Sequence, residues 1–157
     1  MIDFDLLERL AKSIPEAEVV LVGDATCSMD RLTSQPNVTW LGYRPYEQIP
    51  GLGAGFDVAL MPWQRNGWIE ACNPIKLKEY LALGLPVVST DFPEVRHYEH
   101  VVRVADDHDA FVELVRLTMR DGGLGSPQSR REAVSGSTWE RRAQELIDLC
   151  DEVGATG

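Results

Sequence analysis

Apolar residues at Phe4, Leu6, Leu7, Leu10 and Ala11 recur at the spacing of a one-sided helix, predicting one from about Asp3 to Ser13. After Pro15 the pattern changes. Glu18-Val-Val-Leu-Val-Gly23 is a continuous apolar run, as expected of a parallel strand covered on both faces. Asp24 to Asn37 is polar, with little periodicity, and reads as a loop. Val38–Leu41 predicts a second strand, followed through Gly42-Tyr-Arg-Pro45 by a short helix over about Tyr46–Leu52. Asp57–Met61 predicts a third strand, and residues 62–72 a loop. Pro86–Thr90 and Val101–Val104 complete the strands, and helices are predicted near Asp107–Arg120, Ser129–Val134 and Thr138–Val153. Asp121-Gly-Gly-Leu-Gly-Ser-Pro127 is a linker by composition. Alternating strands and helices predict one α/β domain with a short parallel sheet, Rossmann-like, over residues 1–157.

The most informative stretch is Asn73-Pro-Ile-Lys-Leu-Lys-Glu-Tyr-Leu-Ala-Leu-Gly-Leu-Pro-Val-Val-Ser-Thr90. Pro74 suits the first position of a helix, where a missing N–H costs nothing, and Asn73 can cap the amides that follow. Leu77, Tyr80 and Leu81 keep helical spacing, and Gly84 can supply the left-handed residue that ends it. A helix start with Asn73, Lys76 and Glu79 beside it can hold an anion and a polyol together.

Composition narrows the partners. A hydrophobic fraction of 44% and a charged fraction of 25% are ordinary for a globular chain. No apolar run approaches the roughly 20 residues of a membrane span, and Asp3, Asp5 and Glu8 interrupt any signal-like start. A net charge of −10 argues against a nucleic acid polymer, which requires a basic face. Cys27, Cys72 and Cys150 are odd in number and widely spaced, suiting a reduced cytoplasmic chain. His97, His100 and His108 lack metal-ligand spacing with the cysteines, and the Asp106-Asp-His-Asp109 cluster sits where carboxylates cap a helix. No metal or cofactor is expected.

The stretch Pro74-Ile-Lys-Leu-Lys-Glu-Tyr-Leu-Ala-Leu-Gly-Leu-Pro-Val-Val88 resembles the donor-binding, C-terminal half of GT-B glycosyltransferases, particularly the retaining enzymes of group 1, family 4. Val38-Thr-Trp-Leu-Gly-Tyr-Arg44 and Phe56-Asp-Val-Ala-Leu-Met-Pro-Trp63 fit the same pattern in the same order, so the resemblance spans roughly residues 3–150. It implies a site for a nucleotide-diphosphate sugar, a substrate rather than a cofactor. Glu79 would accept hydrogen bonds from the ribose hydroxyls. The Ile75 and Lys76 amides, the Lys76 ammonium and Asn73 would face the diphosphate. Tyr43 would lie at the base and Arg44 near a phosphate. Trp63 and Trp68, with Arg65 between them, would contact either the sugar or a second domain. Lys78 reads as solvent-facing. The family often carries two glutamates with seven residues between them; the first falls here on Ala71, with Glu70 one place away.

Two departures bear on function. The strand that normally precedes the first helix, central in the family's sheet, is not found ahead of Asp3, so the Val19–Val22 and Asp57–Met61 strands are expected to pair directly, or to leave a gap for another chain, or the chain is a truncated piece. Self-association across that gap is one expectation. The acceptor-binding N-terminal domain is also missing, so this chain alone is expected not to turn over substrate. Glycosyl transfer to a polysaccharide or other glycoconjugate is the function the resemblance implies for the whole protein. Two alternatives stand beside it: a non-catalytic nucleotide-binding or assembly module, and a fragment of a GT-B nucleotide-sugar epimerase.

Overall fold

Asp3 accepts a hydrogen bond from the Leu6 amide at 2.9 Å and so opens α1 (Phe4–Ser13), which buries Leu6, Leu7, Leu10 and Ala11. The computed structural model describes residues 2–155. β1 (Val19–Leu21), α2 (Asp30–Thr33) and β2 (Val38–Trp40) follow α1. A 3-10 turn, Tyr46–Gln48, then runs into α3 (Ile49–Gly53). After β3 (Ala59–Met61) come α4 (Gly67–Glu70), α5 (Ile75–Leu83) and β4 (Val87–Thr90). A second 3-10 turn (Pro93–Tyr98), β5 (Val102–Ala105), α6 (His108–Asp121), α7 (Pro127–Val134) and α8 (Trp139–Ala155) complete the order. No helix among the described residues is long and apolar enough to cross a membrane.

The strands form two parallel sheets where one was expected. β1 pairs with β2, Val19 opposite Val38, and β3-β4-β5 form the second, with Val87 opposite both Ala59 and Val102. β1 and β3 do not pair, which removes the direct-pairing expectation. One apolar cluster nevertheless joins the sheets: Val19 and Val38 from the first, Val88 and Ala105 from the second, packed with Leu6, Leu10 and Phe111. A second cluster, built on Leu77, Leu81, Val87, Phe92 and Val134, holds α5 and α7 against the other part of the fold. β4 is buried throughout, the fate of a central parallel strand.

The short helices α2 and α4 fall in stretches expected to be loops; four residues are too few to display helical periodicity. The Asp106–Asp109 cluster acts as structure: Asp107 accepts from the Ala110 amide at 2.8 Å, Asp109 pairs with Arg9, and His108 Nε2 lies 3.1 Å from Asp3 Oδ2.

Asp121 closes α6 and carries a pH signature. Its carboxylate takes two hydrogen bonds from Arg103, at 2.9 and 2.6 Å, and one from the Gly123 amide. Arg103 foremost, then that amide, pull the carboxyl from its usual 3.8 to about 2. The folded protein therefore binds this proton less readily than the unfolded chain. The contribution to stability is full above about pH 4 and is lost as pH falls toward about 2. Asp121→Asn is expected to flatten that part of a urea-stability profile against pH; an unchanged acid limb would assign it to other carboxylates.

Candidate functional site

α5 is held at one end and open at the other. Its carboxyl end stops at Gly84, whose φ of 81° is a left-handed conformation that side chains resist. A Cβ there would meet Arg131 Nη2 at 2.9 Å and the Pro127 carbonyl at 3.1 Å. Gly84→Ala is therefore expected to cost about 1–2 kcal/mol in urea unfolding, and no measurable loss would contradict the tightness of that corner. From α7, Arg130 Nη1 donates to the Gly84 carbonyl at 3.0 Å and Arg131 Nη2 to the Leu83 carbonyl at 3.2 Å. Cations at the negative end of the helix dipole fix α5 in place.

The amino end differs from expectation. The cap position falls on Pro74, which brings no side-chain cap, and the helix begins at Ile75. Asn73 turns away and accepts from Lys78 Nζ at 2.5 Å. Lys78, expected to face solvent, is half-buried between Asn73 and Glu94, 3.6 Å away. Among the described residues no side chain caps the first amides of α5, and no acidic residue stands in its first turn to offset the positive end of the dipole.

One turn on, Glu79 is the focus of the polar groups. Its Oε1 accepts from the Tyr46 hydroxyl at 3.1 Å and its Oε2 from Lys76 Nζ at 2.8 Å. The hydrogen bond to Glu79 holds the Lys76 ammonium above its usual pKa against the opposing effect of partial burial, so the lysine stays charged. The same carboxylate pushes the Tyr46 phenol up, which keeps it a donor. Tyr46 reaches α5 because α3 packs on it closely, at Gly53, where a Cβ would fall 2.6 Å from Leu83 Cδ1. Tyr46 was not among the residues read from the sequence; its partner lies 33 positions away, and the only local sign was a second aromatic after Pro45.

The other expected residues lie apart from this group. Tyr43 is 64% exposed, and Arg44 donates to the Tyr43 carbonyl at 2.9 Å within its own loop. Among the described residues neither makes a hydrogen bond or ion pair with Glu79 or Lys76. The tryptophans diverge. Trp63 is half-buried, stacked on Phe92 with ring centroids 5.3 Å apart, whereas Trp68 is 76% exposed on α4. Arg65 lies 3.6 Å from Asp91, whose carboxylate is already gripped by Arg96 at 2.8 and 2.6 Å. Glu70 is exposed on α4. Among the described residues no group of three or more His, Cys, Asp or Glu side chains converges as a metal site would require.

The grouping allows definite chemistry. Uncapped helix amides and a fixed ammonium suit an anion, and a carboxylate held at both oxygens retains lone pairs for hydroxyl donors.

Comparison with known proteins gives this geometry a family. A glycosyltransferase, TuaH, assigned by name to teichuronic acid biosynthesis in Bacillus subtilis (strain 168), is 34% identical over 150 residues. The match covers 88% of this chain but 37% of that protein, so the chain spans little more than a third of the relative's length. The family model of glycosyl transferases group 1 matches residues 4–121, which include α5 and the whole Tyr46–Lys76–Glu79 grouping. The chain belongs to the group 1 glycosyltransferases.

Proposed function

We propose that this chain is the donor-holding half of a glycosyltransferase and binds a nucleoside-diphosphate sugar at the amino end of α5. The observation that carries the reading is the Glu79 carboxylate, fixed between Tyr46 and Lys76 one turn from uncapped helix amides. In this scheme Glu79 accepts the ribose hydroxyls. The Ile75 and Lys76 amides and the Lys76 ammonium receive the diphosphate. As the bond from sugar to diphosphate breaks, negative charge grows on the leaving phosphate. Fixed amides and an ammonium already aimed there stabilise that charge without reorganising. The scheme assigns this task to no metal. Asn73 acts through Lys78, while Tyr43, Arg44, Trp63, Arg65, Trp68 and Glu70 remain proposed contacts for the base, the sugar or a facing domain.

The acceptor substrate, whose hydroxyl takes the sugar, would be presented by residues outside this chain, so the chain alone is proposed to bind donor without transfer. The relative is named for teichuronic acid biosynthesis, and in this reading the acceptor is a polysaccharide or other glycoconjugate and the transfer is cytoplasmic. A second reading, a nucleotide-binding module without catalysis of its own, is favoured by the unpaired β1 and β3 edges. Both readings share the donor site. Titrating the folded chain with UDP and GDP, followed by NMR, is expected to shift the Ile75 and Lys76 amide resonances. Unshifted resonances at millimolar nucleotide would exclude a formed donor site.

A further inference from the structure

The two side chains that hold the Glu79 carboxylate differ in how firmly they are held themselves. Lys76 reaches it along the same helix, three positions away, on an exposed and flexible stem. Such a pair moves with the carboxylate and fixes it weakly. Tyr46 arrives from a separate element. Its 3-10 turn is closed by the Gln48 amide, which donates to the Pro45 carbonyl at 2.9 Å, and the Ile49 amide donates to the Tyr46 carbonyl as the turn runs into α3. α3 in turn packs on α5, where Gly53 lets Leu83 approach. The Tyr46 hydroxyl is therefore carried by a stiff ring with only two side-chain torsions, on backbone tied to the body of α5.

Two donors on two different oxygens leave a defined remainder. An ionised carboxylate offers about four lone-pair directions, two on each oxygen. The Tyr46 hydroxyl takes one on Oε1 at 3.1 Å, and Lys76 Nζ takes one on Oε2 at 2.8 Å. One direction per oxygen stays open, and hydroxyls on two adjacent carbons present donors to match. A single hydroxyl uses only half of that pattern. Without Tyr46, Oε1 would be open on both sides and the carboxylate freer to turn about its last torsion, which is broad and roughly two-fold. A ligand would then have to order it on binding. The direction of the Tyr46 bond is fixed as well, because the hydrogen bond to Glu79 pushes the phenol up and leaves the proton on the tyrosine.

We propose that Tyr46 is a specificity-determining residue of this site: by pinning Glu79 it selects ligands with an intact vicinal diol, ribonucleotides over 2′-deoxyribonucleotides. It acts through Glu79 and is a positioning residue, not a contact to the ligand. The inference rests on the donor reading of Glu79 and adds to it the origin of the preference for ribose.

The test is calorimetric titration of the full 157-residue chain and of Tyr46→Phe with UDP, 2′-deoxy-UDP and inorganic pyrophosphate. The substitution removes one oxygen from an exposed side chain, so folding is not at stake. The wild type is expected to prefer UDP over 2′-deoxy-UDP about tenfold or more, and Tyr46→Phe to reduce that preference about fivefold. Pyrophosphate affinity and the urea midpoint should not move. In a Glu79→Ala background the same substitution is expected to change nothing further. An undiminished preference in Tyr46→Phe, or an equal effect with and without Glu79, overturns this proposal and leaves the donor site standing. So does a parallel loss for pyrophosphate, which would give Tyr46 a structural role alone, and so does tighter UDP binding by Tyr46→Phe, which would make the hydroxyl a competitor of the ribose. Equal binding of both nucleotides by the wild type overturns it together with the ribose role of Glu79. No UDP binding by the wild type overturns the donor reading, and this proposal with it.

Discussion

Replacing Arg130 with methionine is expected to destabilise the fold by about 3 kcal/mol, the largest effect of any single polar side chain here. Arg130 is 2% exposed and donates to four backbone carbonyls: Leu124 at 2.9 Å, Gly84 at 3.0 Å, Gly125 at 3.0 Å, and Gly122. Burial, then the nearby Arg103 charge, holds its pKa below the usual guanidinium value, with Asp121 opposing; the group nonetheless stays charged at working pH. Methionine fills much of the same volume, so the loss reports the hydrogen bonds more than packing. Water can replace the arginine at the exposed Gly122 and Gly125, but not at buried Gly84, which is why the expected loss is nearer one buried interaction than four. Lysine should recover only part of it, because an ammonium is a point donor while a guanidinium is a fork. Urea unfolding checks this, and a loss under about 1 kcal/mol would mean that the turn is satisfied without Arg130. The result bears on function because Arg130 anchors the carboxyl end of α5, the helix that carries Glu79.

Glu79→Ala is expected to lower affinity for UDP or GDP about 100-fold while leaving unfolding nearly unchanged. Two hydroxyls donating to a carboxylate are charge-assisted bonds, and losing them together removes roughly 3 kcal/mol, which corresponds to about two decades in Kd. The stability change is small because Glu79 pairs in the folded protein with exposed groups, Lys76 and Tyr46. Such surface pairs contribute about 0–1 kcal/mol. Glu79→Gln should retain more affinity than alanine, since the amide oxygen still accepts. Equal loss in both variants would point to charge itself, acting on Lys76, as the main contribution. Calorimetric titration of the three proteins separates these outcomes.

What was legible in the sequence was local. α1, the Gly84 stop and the buried β4 strand each depend on a few adjacent residues, and each lies within a residue or two of its expected place. The start of α5 was misplaced by one position because Asn73 had a competing partner in Lys78, five residues away and on the other side of the proline. Tyr46 and Arg130 were illegible for a different reason. Their roles are set by partners 33 and 46 residues distant, Glu79 and Gly84, and nothing in their own neighbourhoods marks them. The gap in the sheet was legible as a missing strand. Whether β1 and β3 would pair directly was left open by the sequence, and the structure keeps them in two separate sheets that share one core.

The most direct test of the donor site pairs a change in the protein with a change in the ligand. UDP and 2′,3′-dideoxy-UDP would be titrated calorimetrically into the wild-type chain and into Glu79→Ala. If Glu79 reads the ribose hydroxyls, removing them weakens binding to the wild type about as much as removing the carboxylate does, and changes little in the variant. Equal binding of both nucleotides by the wild type, or equal weakening in both proteins, would contradict the account.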